Sequence, residues 1–334
     1  MPNEPTFRHR LEYALYRGVE RFLTVFPWTT VSEVGKALGL LFWFVDARHR
    51  RIVRRNVRMS DLGLDDKGIR RLSRDCFRHY GAVFLSTIRL YAGDPEEDDR
   101  WVRTEGVEHY AAAMAEGKGV VEISAHYGNW EAMAFGFGRA GVPVYAIARS
   151  LENPHLDRAL RESREAYGCR VIPKGGAIRE AVRVLKKGHA VGFIMDQDAL
   201  TSGIWVQFLG QWASTFPTAG NLAVRLEAPI LPVFSWPTED GGYRIRFEPA
   251  FHVPVTGDPE KDTWVASQLM SDCLERQVRR DPRWWFWMHN RFKTRPGEGN
   301  PLPSPLPDPA WVAAYEACRT STPDTVYPRS KEPE

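Results

Sequence analysis

The chain has 334 residues, a net charge of +3 and four cysteines, a length that buries a stable core without disulfide or metal staples. Cys76, Cys169, Cys273 and Cys318 stand far apart, with no CxxC pair and no zinc-like spacing to histidine. This argues against a disulfide framework or structural metal and for a reducing, cytosolic setting. The modest net charge selects no partner by itself.

The first residues, MPNEPTFRHRLEY, are polar and precede no small-residue cleavage site, which argues against a signal peptide. Leu11, Leu15, Val19, Phe22 and Phe26 fall at helical spacing before Pro27, which reads as a hinge. Thr30 and Glu33 form a capping-box pattern opening a second helix, with Val31, Val34, Leu38, Leu41 and Val45 as its apolar face. The most apolar window, VSEVGKALGLLFWFV, is interrupted by Glu33 and Lys36 and falls short of the roughly 20 residues that span a bilayer. It suits a membrane interface instead. A third helix carries Arg48, Arg50, Arg51, Arg54, Arg55 and Arg58, a local basic face that is either solvated or drawn to anionic lipid headgroups, an acidic protein or an acidic substrate. No aromatic and glycine recognition signature accompanies these arginines, so nucleic acid is not expected. A fourth segment, from about Asp66 to Leu90, presents Ile69, Leu72, Cys76, Tyr80, Val83 and Thr87 as a buried stripe.

From Gly117 the texture changes. Short apolar runs (GVVEISA, VPVYAIA, CRVIP, AVGFIMD, ILPVFSW, then YRIRFEP) alternate with helical patterns, predicting an α/β fold with a mostly parallel sheet flanked by helices. The helical N-terminal region, residues 1–100, reads as membrane-docking; residues 101–296 form the core. Between Asp196 and Pro217 lies a Gly-, Ser- and Trp-rich loop too long to be a mere connection. The last residues, 297–334, read as a Pro-rich tail.

His126 follows a strand pattern in VVEISAHYGNWEAMAFGFGRAG, where Gly128 permits a sharp turn and Asn129 suits the N-cap of a helix running to Gly141. That places the imidazole at a strand's C-terminal end, where open α/β sheets bind ligands. With His126 in the turn and Glu131 in the first helical turn, the two can pair. A carboxylate that fixes the tautomer and stabilises the imidazolium is what a general base acting on a hydroxyl needs. No GxSxG serine and no reactive-looking cysteine competes, so direct transfer to an acceptor hydroxyl is more natural than an acyl-enzyme. A capping or packing histidine is the alternative.

SAHYGNWE resembles the HxxxxE motif of the bacterial lipid A late acyltransferases, within the wider lysophospholipid acyltransferase superfamily. AIARSLENPHLD, MDQD, VQFLGQWASTFPTAGNLA, PILPVF and WWFWMHNRFKTRP follow in family order, covering roughly Gly117 to Pro296. The resemblance implies acyl transfer from an acyl carrier protein or coenzyme A thioester to a hydroxyl of a glycolipid precursor. It places the enzyme at the cytoplasmic face of the inner membrane, with His126 as base and Glu131 as partner. It requires no metal and no other cofactor. Such proteins commonly carry an N-terminal spanning helix, whereas here the charge-interrupted apolar stripe around Leu38, Leu41, Phe42 and Trp43 and the arginines from Arg48 to Arg58 suit peripheral attachment to an anionic surface. Arg149 would contact the acceptor's phosphate or polarise the carbonyl, or form a surface salt bridge. Asp196 and Asp198 would position substrate or cap the next segment. Gly210, Ser214 and Thr215 would offer donors to a developing oxyanion, or their loop would simply pack over the following helix. Related acyltransferases of phosphatidylinositol mannosides share these motifs, and the rivals in kind are a non-catalytic lipid-binding protein and a thioesterase.

Overall fold

The computed structural model describes residues 6–93, 100–148, 150–173, 175–296 and 306–321. Four helices come first: α1 (Phe7–Thr24), α2 (Trp28–Val45), α3 (Ala47–Met59) and α4 (Asp66–Ala92). The fourth buries Ile69, Leu72, Cys76, Tyr80 and Val83, as its periodicity predicts. The second opens at Trp28, with Pro27 as N-cap, so Thr30 falls inside the first turn and Glu33 pairs with Lys36 at 2.6 Å instead of completing a capping box.

The apolar face of α2 is not the buried one. Its inward side is Trp28, Val31, Ser32, Gly35, Gly39 and Trp43, whereas Leu38, Leu41, Phe42, Phe44 and Val45 are 39–67% exposed. Glycines decide this. A Cβ at Gly39 would sit 2.1 Å from the Phe77 carbonyl oxygen, so only glycine lets α2 and α4 approach so closely. The α1 stripe also faces out: Phe7, Leu11, Leu15, Val19 and Phe22 are 43–82% exposed. No helix among the described residues is long and apolar enough to cross a membrane.

The core follows as β1 (Val102–Glu105), α5 (Val107–Ala115), β2 (Val120–Ser124), α6 (Ala132–Arg139), β3 (Val144–Ala148), α7 (Pro154–Ala166), β4 (Cys169–Pro173), α8 (Ala177–Leu185) and β5 (Ala190–Ile194). Then come β6 (Ile204–Phe208), β7 (Gln211–Thr215), α9 (Thr218–Leu226), β8 (Ile230–Pro237), β9 (Tyr243–Phe247), α10 (Pro259–Arg280) and α11 (Pro309–Ser321). Seven strands form one sheet in the order β1-β9-β8-β2-β5-β3-β4. The five from β8 to β4 are parallel; β9 runs antiparallel to β8 and pairs in parallel with β1. One face of the sheet packs on α5 and α6 through Tyr110, Phe135 and Phe137, the other on α8, α9 and α10 through Val184, Leu222 and Leu269. The stretch expected as a long loop contains the β6-β7 hairpin. Leu209 and Gly210 both have positive φ (51° and 73°), as a two-residue primed turn requires, and a Leu-Gly pair announces this weakly.

Candidate active site

The site lies at the C-terminal edge of the parallel strands. In β2 and β5, Ser124 pairs with Ile194, and the Met195 amide continues the ladder to the Ser124 carbonyl at 3.0 Å. Continuing that register by two residues brings His126 beside Asp196. Gly128, at φ 60°, then turns the chain where any Cβ would lie 1.9 Å from the Ser235 carbonyl oxygen. Asn129 Oδ1 accepts from the amides of Glu131 (3.1 Å) and Ala132 (3.2 Å), seating the start of α6.

His126 Nδ1 lies 2.7 Å from Asp196 Oδ1, and the His126 amide donates to Asp196 Oδ2 at 2.9 Å. The Trp285 indole also donates to Asp196 Oδ2, at 2.7 Å. Burial alone would raise the Asp196 carboxyl, but the neighbouring His126 and its hydrogen bond, with help from His289 and Trp285, hold it well below the usual carboxylate range. An ionised Asp196 accepts only, so Nδ1 carries the ring proton and Nε2 keeps the lone pair a base needs.

Glu131 is engaged elsewhere, which corrects the expectation that it partners His126. Arg164, on α7, grips it in a fork with Nη2 2.6 Å from Oε1 and Nε 3.1 Å from Oε2, and the Tyr91 hydroxyl of α4 makes a further short contact. Burial would raise this carboxyl too, but Arg164 outweighs it and holds the group ionised. The Glu131–Arg164 pair thus ties α6 to α7 at the rim of the site.

The segment after α10 crosses the same edge. Phe286 donates its amide to the His126 carbonyl at 2.9 Å, and Tyr127 and Trp285 form an isolated bridge. The Tyr80 hydroxyl of α4 lies 2.9 Å from the His126 carbonyl and 2.7 Å from that of Trp284. His289 stands edge-to-face against His126, with ring centroids 4.4 Å apart, and Trp130 does the same at 4.8 Å. Burial, then the adjacent His126, push His289 down to about 4, so this second imidazole is neutral.

The remaining expected residues have other partners. Asp198 accepts from the amides of Leu200 and Thr294, both at 2.7 Å, which fastens the two loops. Ser214 donates to the Leu200 carbonyl at 2.7 Å and Thr215 accepts from Arg291 at 2.5 Å; both are buried. Gly210 sits in the hairpin turn against Asp61. As they stand, these hydroxyls and this turn brace the hairpin and are not free to serve an oxyanion. Arg149 lies outside the described residues. Arg164, Tyr91, Trp285 and His289 were not anticipated, because nothing in local spacing links them to His126. Among the described residues no three His, Cys, Asp or Glu side chains gather as metal ligands.

The model of the bacterial lipid A biosynthesis acyltransferase family matches residues 1–294. The chain belongs to this family. It is 26% identical over 312 residues to the lipid A biosynthesis lauroyltransferase of Escherichia coli (strain K12), covering 90% of this chain and 99% of that protein. It is 24% identical to the lipid A biosynthesis palmitoleoyltransferase of the same strain, over 81% of this chain and 87% of that protein. Further out, the phosphatidylinositol mannoside acyltransferase of Mycolicibacterium smegmatis is 25% identical over 66% of this chain and 72% of that protein. This family member is therefore an acyltransferase.

Proposed function

We propose that the protein transfers a fatty acyl chain from an acyl carrier protein or coenzyme A thioester to a hydroxyl of a lipid A-type glycolipid precursor. The observation that carries this reading is the pairing of the partly exposed His126 with the buried Asp196, which leaves Nε2 available as a base at the sheet edge. The acceptor hydroxyl loses its proton to Nε2 as its oxygen attacks the thioester carbonyl. The tetrahedral intermediate collapses with cleavage of the carbon–sulfur bond, and the departing thiolate recovers the proton from the imidazolium. An ester and a free thiol result. Asp196 fixes the tautomer and stabilises the transient imidazolium; Glu131 and Arg164 hold the rim in shape.

The enzyme docks peripherally on an anionic inner-membrane surface, on its cytoplasmic side. Support comes from the outward apolar stripes of α1 and α2 and from Arg48, Arg51, Arg55 and Arg58, which share the exposed face of α3. Trp43 takes no part, being buried with its indole 3.1 Å from Ser73 Oγ, and Arg50 is turned to cap the end of α2 at the Phe44 carbonyl, 2.6 Å away.

The test is transfer of a radiolabelled chain from each thioester to lipid A precursor, phosphatidylinositol mannoside or lysophospholipid, with products separated by lipid chromatography. A new acylated glycolipid is the expected product. Release of free fatty acid would make the protein a thioesterase, and bound lipid without turnover would make it a carrier.

A further inference from the structure

The middle of the sheet has an uncovered patch. β5 lies between β2 and β3, yet Gly192 and Phe193 are partly exposed and Ile194 is 42% exposed, whereas Ala190 and Val191 at the start of the same strand are fully buried. Alternation along the strand puts Gly192 and Ile194 on one face. Ala146 is the register partner of Gly192 and shares that face with Ala148; both are partly exposed. The floor continues across β3 to a small cavity under α7, where the apolar Ala148, Leu160, Val171 and Pro173 meet the polar Ser150, Asp157, Arg161 and Arg164. On the other side α6 closes over β2, where the Ser124 hydroxyl meets Met133 Sδ at 3.5 Å. The result is a furrow with a small, apolar floor.

Glu122 marks its inner end. It pairs with Gly192 across β2 and β5, and its Oε2 would lie 3.6 Å from a Cβ on Gly192, so its carboxyl points over the same floor. The side chain is 2% exposed and Oε1 has no hydrogen-bond partner. Burial pushes its pKa up to about 8, so the group is a neutral acid near pH 7. The open end leads directly to the catalytic edge, because β5 runs through Ile194 and Met195 into Asp196. Gly192 stands four residues before Asp196, about 13 Å down the strand.

We infer that this furrow receives the donor's acyl chain, with Gly192 setting how far the chain penetrates and Glu122 closing the end. The inference rests on the acyl-transfer reading. A narrow trough floored by Gly192, Ala146, Ala148 and Ile194 fits an apolar chain. A chain that reached Glu122 would bury its methyl end against an unsatisfied carboxyl, which is unfavourable, so the chain length that stops short of it is preferred. A side chain at Gly192 fills the floor from below, and removal of the Glu122 carboxyl deepens it.

The experiment is a competition among short, medium and long saturated acyl thioesters supplied together in equal amounts, with the acylated lipid products measured by mass spectrometry. Gly192→Leu should shift the ratio of long to short product toward short by about tenfold, the change expected from denying burial to two methylene groups. Glu122→Ala should shift it toward long. Should Gly192→Leu lose the wild-type circular dichroism spectrum, Ala146→Leu and Glu122→Ala decide. Folded, active variants with the wild-type product distribution would overturn the inference, as would a change confined to the Michaelis constant of the acceptor, which would give the furrow to that lipid. Wild-type protein that transfers no chain from any thioester would fail the acyl-transfer reading itself, a separate outcome from an unaltered distribution.

Discussion

The sheet edge that carries His126 and the N-terminal helices place polar and apolar residues in opposite ways. At the edge, Asp196, His126, Glu131 and Arg164 are enclosed and bonded to one another or to aromatic neighbours, so polar groups face inward. On α1 and α2, apolar side chains with helical periodicity face outward, and on α2 Gly35 and Gly39 make the close contact with α4. Buried charge that is fully paired is what a preorganised site requires. An apolar face left uncovered points to a surface outside the protein. The two regions meet in α4, whose Tyr80 and Tyr91 hold the site while Phe77 and Ala82 receive α2.

The comparison breaks first, and hardest, at the edge. Asp196→Asn should lower turnover about 10³-fold or more by freeing the wrong tautomer, and His126→Ala should cost 10²–10⁴-fold, both with unchanged circular dichroism. Near-wild-type transfer by folded Asp196→Asn protein would show that His126 works without it. If Glu131 acts through the rim and not as the proton partner of His126, Glu131→Gln should show the smaller loss in kcat and the larger loss in stability.

Next in size is the α2–α4 contact. Gly39→Leu forces side-chain atoms into the Phe77 carbonyl and should destabilise by about 3 kcal/mol, read from the denaturant midpoint. An equally large substitution at Leu41 or Phe44, on the outward face, should stay within about 0.5 kcal/mol. Equal losses at both faces would mean that the outward stripe is covered in solution.

Docking should respond to the arginines. Changing Arg51 and Arg55 to Gln removes about 1 kcal/mol each near an anionic bilayer, so co-sedimentation with anionic vesicles should weaken about thirtyfold. Added salt should weaken the wild type without abolishing binding, since the apolar stripe is not screened. Indifference of both proteins to lipid charge would assign the arginines to an acidic protein partner or to solvent.

A last contrast separates the furrow from the edge by pH. Glu122 is protonated in the fold up to about 8, whereas the unfolded chain ionises it near 4.5. The unfolded state therefore binds fewer protons across that window, and stability falls as pH rises through it, by up to about 1.4 kcal/mol per unit. Asp272, raised to about 7 by burial, adds the same sign and persists in every Glu122 variant. Glu122→Gln should flatten the slope of melting temperature against pH over pH 4.5 to about 8. An unchanged slope would mean that Glu122 reaches solvent in the native state.

The sequence by itself determined much of this protein. Alternating apolar runs and helical stripes specified the α/β core, because local burial patterns are written in short-range periodicity. The run VVEISAHYG placed His126 at a strand end, because a glycine-containing turn follows that strand. Sequence also located Asp196 on the sheet edge, though as a substrate residue. Only the tertiary structure decided that Asp196 meets His126, since the two stand seventy positions apart and become neighbours through the strand order β2-β5 and its register. The nearby Glu131, the natural partner on spacing alone, was drawn away by Arg164, whose place on α7 no local pattern reveals. The same holds for α2: apolar periodicity fixes which residues share a face, but whether that face turns in or out depends on what packs opposite. Here Gly35 and Gly39 let α4 come closer than the larger side chains would allow.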